Sequence, residues 1–587
     1  MVKQLLKSIR EFKLATILTP TFVVGEVIIE ALIPFLISLL INDIKAGCDL
    51  SVILGYAWKL VVLSLLSLLC GYLAGIYCAE ASTGFARNLR YDIFTNIQKF
   101  SFSNIDKFSS ASLVTRLTTD IQNVQMAFMV IIRTAVRAPL NLIFSFTMAY
   151  IMGGTMAVIF LIIIPFLGIG LYLIVKTVMP IFKKGFPLFD KITRIVEENV
   201  KGIRVVKSFV REDYEINKFD ETSNDIRKMF TRAEQIIALN NPLMQISIYA
   251  VMLFVLMFGS EMIIKTNATS LDVGQLSTLM TYGFQIMVSL MMLSMVFVMI
   301  TFSEESCKRI VEVLNEKSSI TSKENAITEV KDGSIDFDHV RFKYSPTAER
   351  PVLENIDVHI KSGETIGIIG GTGSAKSSFV QLIPRLYDVT EGTVRVGKED
   401  VRDYDLVTLR DSVAMVLQKN VLFSGTIADN IRWGNKDATL EEVKHVCHLA
   451  CADEFIEQMP DGYDTWIEQG GTNVSGGQKQ RLCIARALLK QPKILIMDDS
   501  TSAVDTKTDA IIRKAMKEYI PETTKIIIAQ RTSSVEDADR IIVLDGGKID
   551  AIGTSEELLK TNQIYREVYL SQNKQGTEEI VEEGGVR

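Results

Sequence analysis

Six stretches of this chain, at about 14–41, 52–80, 128–152, 155–180, 240–264 and 277–301, are apolar for roughly the length of a bilayer-spanning helix, and no comparable run follows residue 302. A spanning helix needs about 20 mainly apolar residues, because hydrocarbon offers backbone N–H and C=O groups no partner outside the helix. With 48 % apolar residues in 587, the first half therefore reads as an all-α membrane domain with six helices. The second half changes material, alternating short β-rich runs with amphipathic helices, as an α/β domain does. The expected division is a transmembrane domain over 1–318, a polar linker over 319–332, a soluble domain over 333–572 and an acidic, disordered tail over 573–587.

The loops orient the helices. Segments 42–51 and 265–273 are short and carry one Lys each, whereas 81–125 carries five Lys and Arg and 181–239 carries twelve. Basic loops stay in the cytoplasm, so both termini and the soluble domain are expected there. The long basic loops have few Pro or Gly and a helical pattern, which predicts rigid paired stalks below the membrane. Lys3, Lys7, Arg10 and Lys13 lead into the first apolar run without a small-residue cleavage site, so no cleavable signal is expected. Seven scattered Cys suggest reduced thiols rather than a disulfide framework. Cys447, His448 and Cys451 are close in sequence, but they lack a second ligand pair and fit helix packing better than metal binding. A net charge of −6 argues against a nucleic-acid partner.

Within the spans, Glu26 and Glu30 lie one turn apart, as do Arg133 and Arg137. Charges at membrane depth either pair or serve function. Pairing between these sets and contact with substrate are both open readings. Met280, Met287, Met291, Met292, Met295 and Met299 recur along the sixth span, as an adaptable cavity lining or as core and lipid-facing packing. The sequon at Asn267 is a short match of the kind that arises by chance.

The run "ETIGIIG" ends at Gly370 as a buried strand, and "GGTGSAKSS" follows it into a helix. Strand, glycine loop and helix are the setting of the phosphate-binding pattern G-x-x-x-x-G-K-[ST]. Gly370, Gly371, Thr372, Gly373, Ser374, Ala375, Lys376, Ser377 and Ser378 form the candidate cradle, with backbone N–H groups facing phosphates. Lys376 would reach the outer phosphates and the Ser377 hydroxyl would ligate Mg²⁺. Further on, "KILIMDDS" is a strand ending in Asp498, placed to hold the Mg²⁺ shell. Between them, Ser475, Gly476, Gly477 and Gln478 begin a strong helix, a second anion-binding N-terminus.

This order of motifs resembles the ATP-binding-cassette family across essentially the whole chain. The resemblance implies ATP and Mg²⁺ as cofactors. It also implies adenine stacking on Tyr344, a Q-loop role for Gln418 at the metal and the membrane domain, and a signature at 474–478 with Val474 in place of the usual Leu. The D-loop would be 502–505. The six spans and "VVKSFVREDYE" (205–215) resemble the exporter branch, in which the second internal loop docks a coupling helix on a cassette. In that family each ATP lies between one cassette's Walker motifs and the other's signature, so a dimer is implied.

Three departures fall in one half-site. Ala375 replaces a loop glycine, Asp499 stands where the family usually has a catalytic Glu, and Gln530 stands where a switch histidine is expected. Asp is one methylene short, and a misplacement of about 1 Å can cost a factor of ~10². Gln530 cannot become a cation. Ala375 matters only if its backbone must be left-handed, at a cost of about 1–2 kcal/mol, or if its methyl crowds a phosphate; with a negative φ the cost is nearly nil, and tolerance is expected. The expectation is one subunit of a bacterial, cytoplasmic-membrane, heterodimeric multidrug-type exporter of amphipathic substrates, drug-like, lipid or peptide. Its own site would bind ATP and scarcely hydrolyse it, while its signature completes the site of a different half-transporter carrying Glu and His. A slow homodimeric exporter or flippase and a nucleotide-gated regulator are the alternatives.

Overall fold

The computed structural model describes residues 1–266, 271–500 and 504–572. The sequon at Asn267, two residues of the D-loop segment and the acidic tail lie outside them. The chain forms two compact units, one of Met1–Lys99 with Ser109–Glu316, the other of Phe100–Phe108 with the chain from Lys317 onward.

The first unit is helical throughout. Its long helices are α1 (Lys13–Lys45), α2 (Leu50–Gln98), α4 (Ile121–Gly153), α5 (Val158–Lys201), α6 (Glu212–Ala238), α7 (Asn240–Lys265) and α8 (Val273–Asn315), and α3 (Phe102–Phe108) is a short helix of the other unit. Among the described residues, five helical stretches are long and apolar enough to cross a membrane, and one of them, Ser110–Lys201, runs for 92 residues. That length would extend roughly 140 Å at 1.5 Å per residue, several times a bilayer core. It is broken at Gly154, whose φ of 51° separates α4 from α5, so the stretch holds two spans. Six apolar helices result.

At 49 residues α2 is about 74 Å long, more than twice the hydrocarbon thickness, so it must project well beyond it. Its extension packs on α4 through stacked Phe85 and Phe128, 4.5 Å apart. Just before α4 the residues Arg116–Asp120 form a π-helical turn. Asp120, fully buried, accepts from Ser306 Oγ and Arg309 Nε at 2.8 Å, and Arg116 pairs with Glu312 at 2.9 Å, which clasps α4 to α8. A second stalk pairs α5 with α6, where Phe182 meets Phe230 edge-on at 5.3 Å and Ala233 is fully buried. Between them the short helix Ile203–Ser208 is exposed, with Val205, Phe209 and Val210 open to solvent.

Of the intramembrane charges, Glu26, Glu30 and Arg137 pair. Arg137 of α4 meets Glu26 Oε1 at 3.1 Å and Glu30 Oε1 at 2.6 Å, both on α1, and Glu26 is buried with Oε2 unpartnered. Gly71 of α2 makes room for this carboxylate, since a Cβ there would lie 2.9 Å from Glu26 Oε1. The Met stripe divides. Met287 is fully buried in the core, Met280 lines a cavity of about 320 Å³ between α7 and α8, and Met295 faces outward.

In the second unit, an antiparallel sheet orders as β2-β1-β4-β5, from β1 (Ile335–Phe342), β2 (Leu353–Ile360), β4 (Glu391–Val396) and β5 (Glu399–Asp400). A six-stranded sheet orders as β12-β11-β3-β10-β9-β6. Its members are β3 (Thr365–Gly370), β6 (Val413–Val416), β9 (Ile494–Asp498), β10 (Thr524–Ile528), β11 (Arg540–Asp545) and β12 (Lys548–Gly553). The two-residue strands β7 (Gly425–Thr426) and β8 (Trp466–Ile467) pair separately. All pairings in the larger sheet are parallel except β11 with β12, and β9 and β10 are buried at every position, as unbroken apolar runs require. A lobe of helices beside this sheet buries Cys447, whose thiol burial pushes up to about 12.

Removing one partner of a buried ion pair costs about 3–5 kcal/mol. Arg137→Leu should therefore lower the unfolding temperature of the detergent-purified chain sharply. Adding Glu26→Gln and Glu30→Gln in the same chain should recover most of the loss, as thermal unfolding monitored by size-exclusion chromatography would show.

Candidate functional site

Parallel strands deliver their following residues to one edge of a sheet, and here four such ends converge. Because β10 lies between β3 and β9, with Ile528 opposite Asp498, the loop after Gly370, the pair Asp498–Asp499 and Gln530 arrive side by side. The end of β6 adds Gln418.

Gly370 cannot carry a side chain, since a Cβ would lie 2.2 Å from the carbonyl oxygen of Leu544 on β11. The loop turns at Gly373 (φ 85°) and enters α9 (Lys376–Gln381) through Ala375. Ala375 has φ 71° and ψ 22°, the left-handed region, so the costly one of the two backbone alternatives holds and the substitution is not free. The reason is the turn itself. The chain must reverse its twist between strand and helix, and the residue at the helix cap absorbs it. For an L-residue with a Cβ this costs about 1–2 kcal/mol.

Lys376 Nζ donates to the Gly370 and Gly371 carbonyls at 2.9 Å and reaches Ser374 Oγ at 3.3 Å, so the ammonium arches over its own loop. Burial lowers its pKa, against the opposing charges of Asp498 and Asp499. Thr372 is exposed at the loop tip and Ser374 is buried beneath it. The Ser378 hydroxyl bonds to Tyr344 Oη at 2.8 Å, and Tyr344 Oη also donates to Gln381 Oε1 at 3.3 Å. The Tyr344 ring is held edge-on by Phe342 at 4.8 Å and by Tyr387 at 5.0 Å, with nearly half of its surface exposed.

Asp498 and Asp499 are both buried. Burial pushes the Asp498 carboxyl above the usual range, the Ser377 hydroxyl opposes that shift, and the Asp499 charge adds to it. Two adjacent buried carboxylates beside a serine hydroxyl and a glutamine are a donor set that suits a hard divalent cation. Ser377, Gln418 and Asp498 could hold Mg²⁺ there. Asp499 Oδ2 is engaged already, accepting from Gln530 Nε2 at 2.8 Å and Gln418 Nε2 at 3.3 Å. Asp499 itself has φ 49°, and its N–H donates to the Ile528 carbonyl at 2.9 Å.

The structure thus brings together Tyr344, the loop from Gly370 to Ser378, Gln418, Asp498, Asp499 and Gln530. Ser475–Gln478 form a separate group at the exposed start of α10 (Gly476–Leu489). There Ser475 Oγ accepts from Gln478 N–H at 3.3 Å and Gln478 Oε1 accepts from Ser475 N–H at 2.9 Å, closing a capping box. Cys447, His448 and Cys451 diverge, since His448 Nδ1 turns to Asp453 at 2.6 Å while Cys447 points into the helical core. Sequence reasoning missed α3, which packs in the cassette unit, and Tyr387, which touches both α3 and Tyr344. Neither carries a motif, and only tertiary contact reveals them.

A family model for the ABC transporter transmembrane region matches residues 16–302, and one for the ABC transporter domain matches residues 353–502. An uncharacterized ABC transporter ATP-binding protein, YfiB of Bacillus subtilis, is 34 % identical over 94 % of this chain and 96 % of its own length. An ATP-dependent lipid A-core flippase of Photobacterium profundum is 30 % identical over 86 % of this chain and 88 % of its own. The solved structure of a bacterial Atm1-family ABC exporter with ATP bound superposes with a TM-score of 0.83 at 24 % identity, covering 97 % of this chain and 99 % of that one.

Two outcomes follow. Ala375→Gly should stabilise the chain by about 0.5–1 kcal/mol, the strain relieved less the entropy that glycine loses on folding, read as a rise in unfolding temperature. An acid whose pKa is raised by folding contributes stability at low pH and loses it as pH rises through the folded value. Ionised Asp498 is therefore a burden at pH 7. Asp498→Asn should raise the unfolding temperature of the nucleotide-free chain at pH 7, with the advantage narrowing as pH falls toward the carboxylate range. The same change should abolish the additional rise that Mg-ATP gives.

Proposed function

The chain belongs to the ABC transporters, a helical membrane domain joined to an ATP-binding cassette, and on that premise we propose that it is one half of an unequal ATP-driven exporter pair. Its own Walker side holds ATP and scarcely cuts it. The observation that carries this reading is the bonding of Asp499. The carboxylate is one methylene shorter than glutamate, and its Oδ2 already accepts from the amides of Gln530 and Gln418. A general base needs a lone pair aimed at the attacking water, within hydrogen-bond reach of it. This oxygen is turned toward the protein. Gln530 offers an amide where a cation would stabilise the developing charge, and a neutral donor does less of that work.

Binding is another matter. The loop N–H groups from Gly371 to Ser378 would face the phosphates, Lys376 would leave the Gly370 and Gly371 carbonyls to reach the outer ones, and Tyr344 would offer its exposed ring face to adenine. Mg²⁺ would supply charge neutralisation at the phosphates, held by Ser377, Gln418 and Asp498. Their fit is supported by the raised pKa of buried Asp498, which a cation would relieve. Ser475–Gln478, intact at the start of α10, complete the competent site of a second half-transporter carrying Glu and His at the equivalent positions. ATP at both sites draws the cassettes together and turns the membrane cavity outward, and hydrolysis at the partner-based site resets it. The cargo is amphipathic. The apolar lining around Met280 and the flippase among the relatives both favour that class over small ions.

The purified chain alone, in lipid nanodiscs, should bind a fluorescent ATP analogue yet give no steady vanadate-sensitive turnover above background. Asp499→Glu alone should add little, and Asp499→Glu with Gln530→His should raise turnover at least tenfold. Robust turnover by the unmodified chain would establish the homodimeric exporter or flippase instead.

A further inference from the structure

Beside strands β3 and β10, the helix α11 (Thr506–Tyr519) and residues 534–538 wall a cavity of about 460 Å³. That volume falls within the range of about 300–1,000 Å³ typical of ligand sites. Met516 and Ile527 give it an apolar lining, and Arg513, Lys514, Lys517 and Lys525 give it charge. Arg513 and Lys517 stand one turn apart on α11, with Lys514 next to Arg513, and Lys525 lies near the start of β10.

Arg513 is paired, its Nε 3.3 Å from Asp509 Oδ2 and its Nη1 donating to Asp537 Oδ2 at 3.0 Å. The three lysines have no ion pair among the described residues. Lys514 and Lys517 are exposed, and buried Lys525 donates to the Ile520 and Thr523 carbonyls, both at 2.8 Å. Burial lowers the Lys525 pKa, the Asp539 carboxylate opposes that shift, and the Lys517 charge adds to it. Like charges gathered round one cavity repel, and an anion held among them relieves the repulsion.

The chain carries such an anion close by. The helix α12 (Gln563–Gln572) ends at Gln572, whose Oε1 accepts from Thr532 N–H at 2.9 Å and from Thr532 Oγ1 at 3.2 Å. Its Nε2 donates to the Gln530 carbonyl at 2.8 Å. Thr532 is two residues before Ser534, which lines the cavity. Past Gln572, outside the described residues, 578–583 read "EEIVEE", two apolar side chains between two pairs of glutamates. This pattern complements an apolar lining ringed by cations. Six residues separate Glu578 from Gln572, a reach of roughly 20 Å when extended. We infer that residues 578–583 dock in this cavity of their own chain, with the glutamates set against the three lysines and Ile580 and Val581 against Met516 and Ile527. A ligand tethered this closely arrives at an effective concentration in the millimolar range, so individually weak contacts suffice. Docking clamps α12 across Gln530 and Thr532.

A fluorescein-labelled peptide of residues 576–584 tests this by fluorescence anisotropy with the full chain in nanodiscs. A chain in which Glu578, Glu579, Glu582 and Glu583 are all changed to Gln has an emptied cavity and should bind the peptide. The unmodified chain should bind it at least tenfold more weakly, because its own segment competes. Adding Lys514→Glu and Lys517→Glu to the emptied chain should weaken binding at least tenfold. Both side chains are exposed, so affinity for a fluorescent ATP analogue should stay within about twofold. Raising ionic strength from about 0.1 M to 1 M, which shortens the Debye length from about 10 Å to 3 Å, should also weaken binding several-fold. Two altered peptides leave the protein untouched and decide the outcome should the charge reversal disturb folding. With its four glutamates changed to Gln the peptide should not bind, and with Ile580→Ser and Val581→Ser it should bind several-fold more weakly. The inference is overturned if the peptide fails to bind the emptied chain or binds the unmodified chain equally well. It is overturned too if neither the lysine reversal nor the glutamine peptide changes the affinity.

Discussion

Two carboxylates buried at the end of one strand are a constraint that the surrounding cassette has to meet, and it meets each one differently. Asp498 has Ser377, nearby Lys376 and a pKa that burial lifts. Asp499, one residue on, is held by two side-chain amides. The first arrangement compensates the negative charge only in part and suits a cation. The second compensates the charge with neutral donors and leaves the shared oxygen facing inward. Identical side chains one peptide apart are thus set to different tasks by which strand ends surround them. The order β3-β10-β9 is what makes that possible.

The membrane unit is arranged by similar means. Apolar helix faces gain little from choosing one another over lipid, so packing of Leu, Ile and Val leaves their register loosely specified. The polar contacts specify it. Arg137 ties α4 to α1 at one level through Glu26 and Glu30, and Asp120 with Arg309 ties α4 to α8 at another. The π-helical turn at 116–120 matters here because an extra residue in the turn re-aims the side chains beside it. Helix α4 is therefore keyed at two heights, and the bundle's register follows from charges that hydropathy alone would treat as blemishes.

Much of this was legible in the sequence. Unbroken apolar runs specified the spanning helices, because the bilayer tolerates nothing else. The strand before Gly370 and the helix after it were legible too, because that motif depends on local chain direction. Spacing set Glu26 beside Glu30 and Arg133 beside Arg137 but left pairing and substrate contact both open, and it is the packing of α4 on α1 that joins Arg137 to the two glutamates. What failed was of two kinds. The backbone of Ala375 depends on how the loop closes, and a residue name carries no φ: the sequence left both conformations open, and the turn imposes the left-handed one. The role of α3 depends on contacts nearly 300 residues apart, Asp106 with Tyr387, and neither residue belongs to a periodic pattern. Local rules read local geometry well and are blind to a helix that one part of the chain lends to another.

That loan bears on how such a molecule can be taken apart. By sequence the cassette is a contiguous module that a protease or an expression vector could release near residue 317. By structure it is not contiguous, since Phe100–Phe108 belongs to it. A fragment beginning after the linker would lack Asn104 and Phe102 and would present Tyr387 with its hydroxyl acceptor gone. Measurements on such a fragment would describe a cassette missing one wall. In the intact chain the polypeptide crosses between the two units three times, at both ends of Phe100–Phe108 and before Lys317, so no single cut separates them.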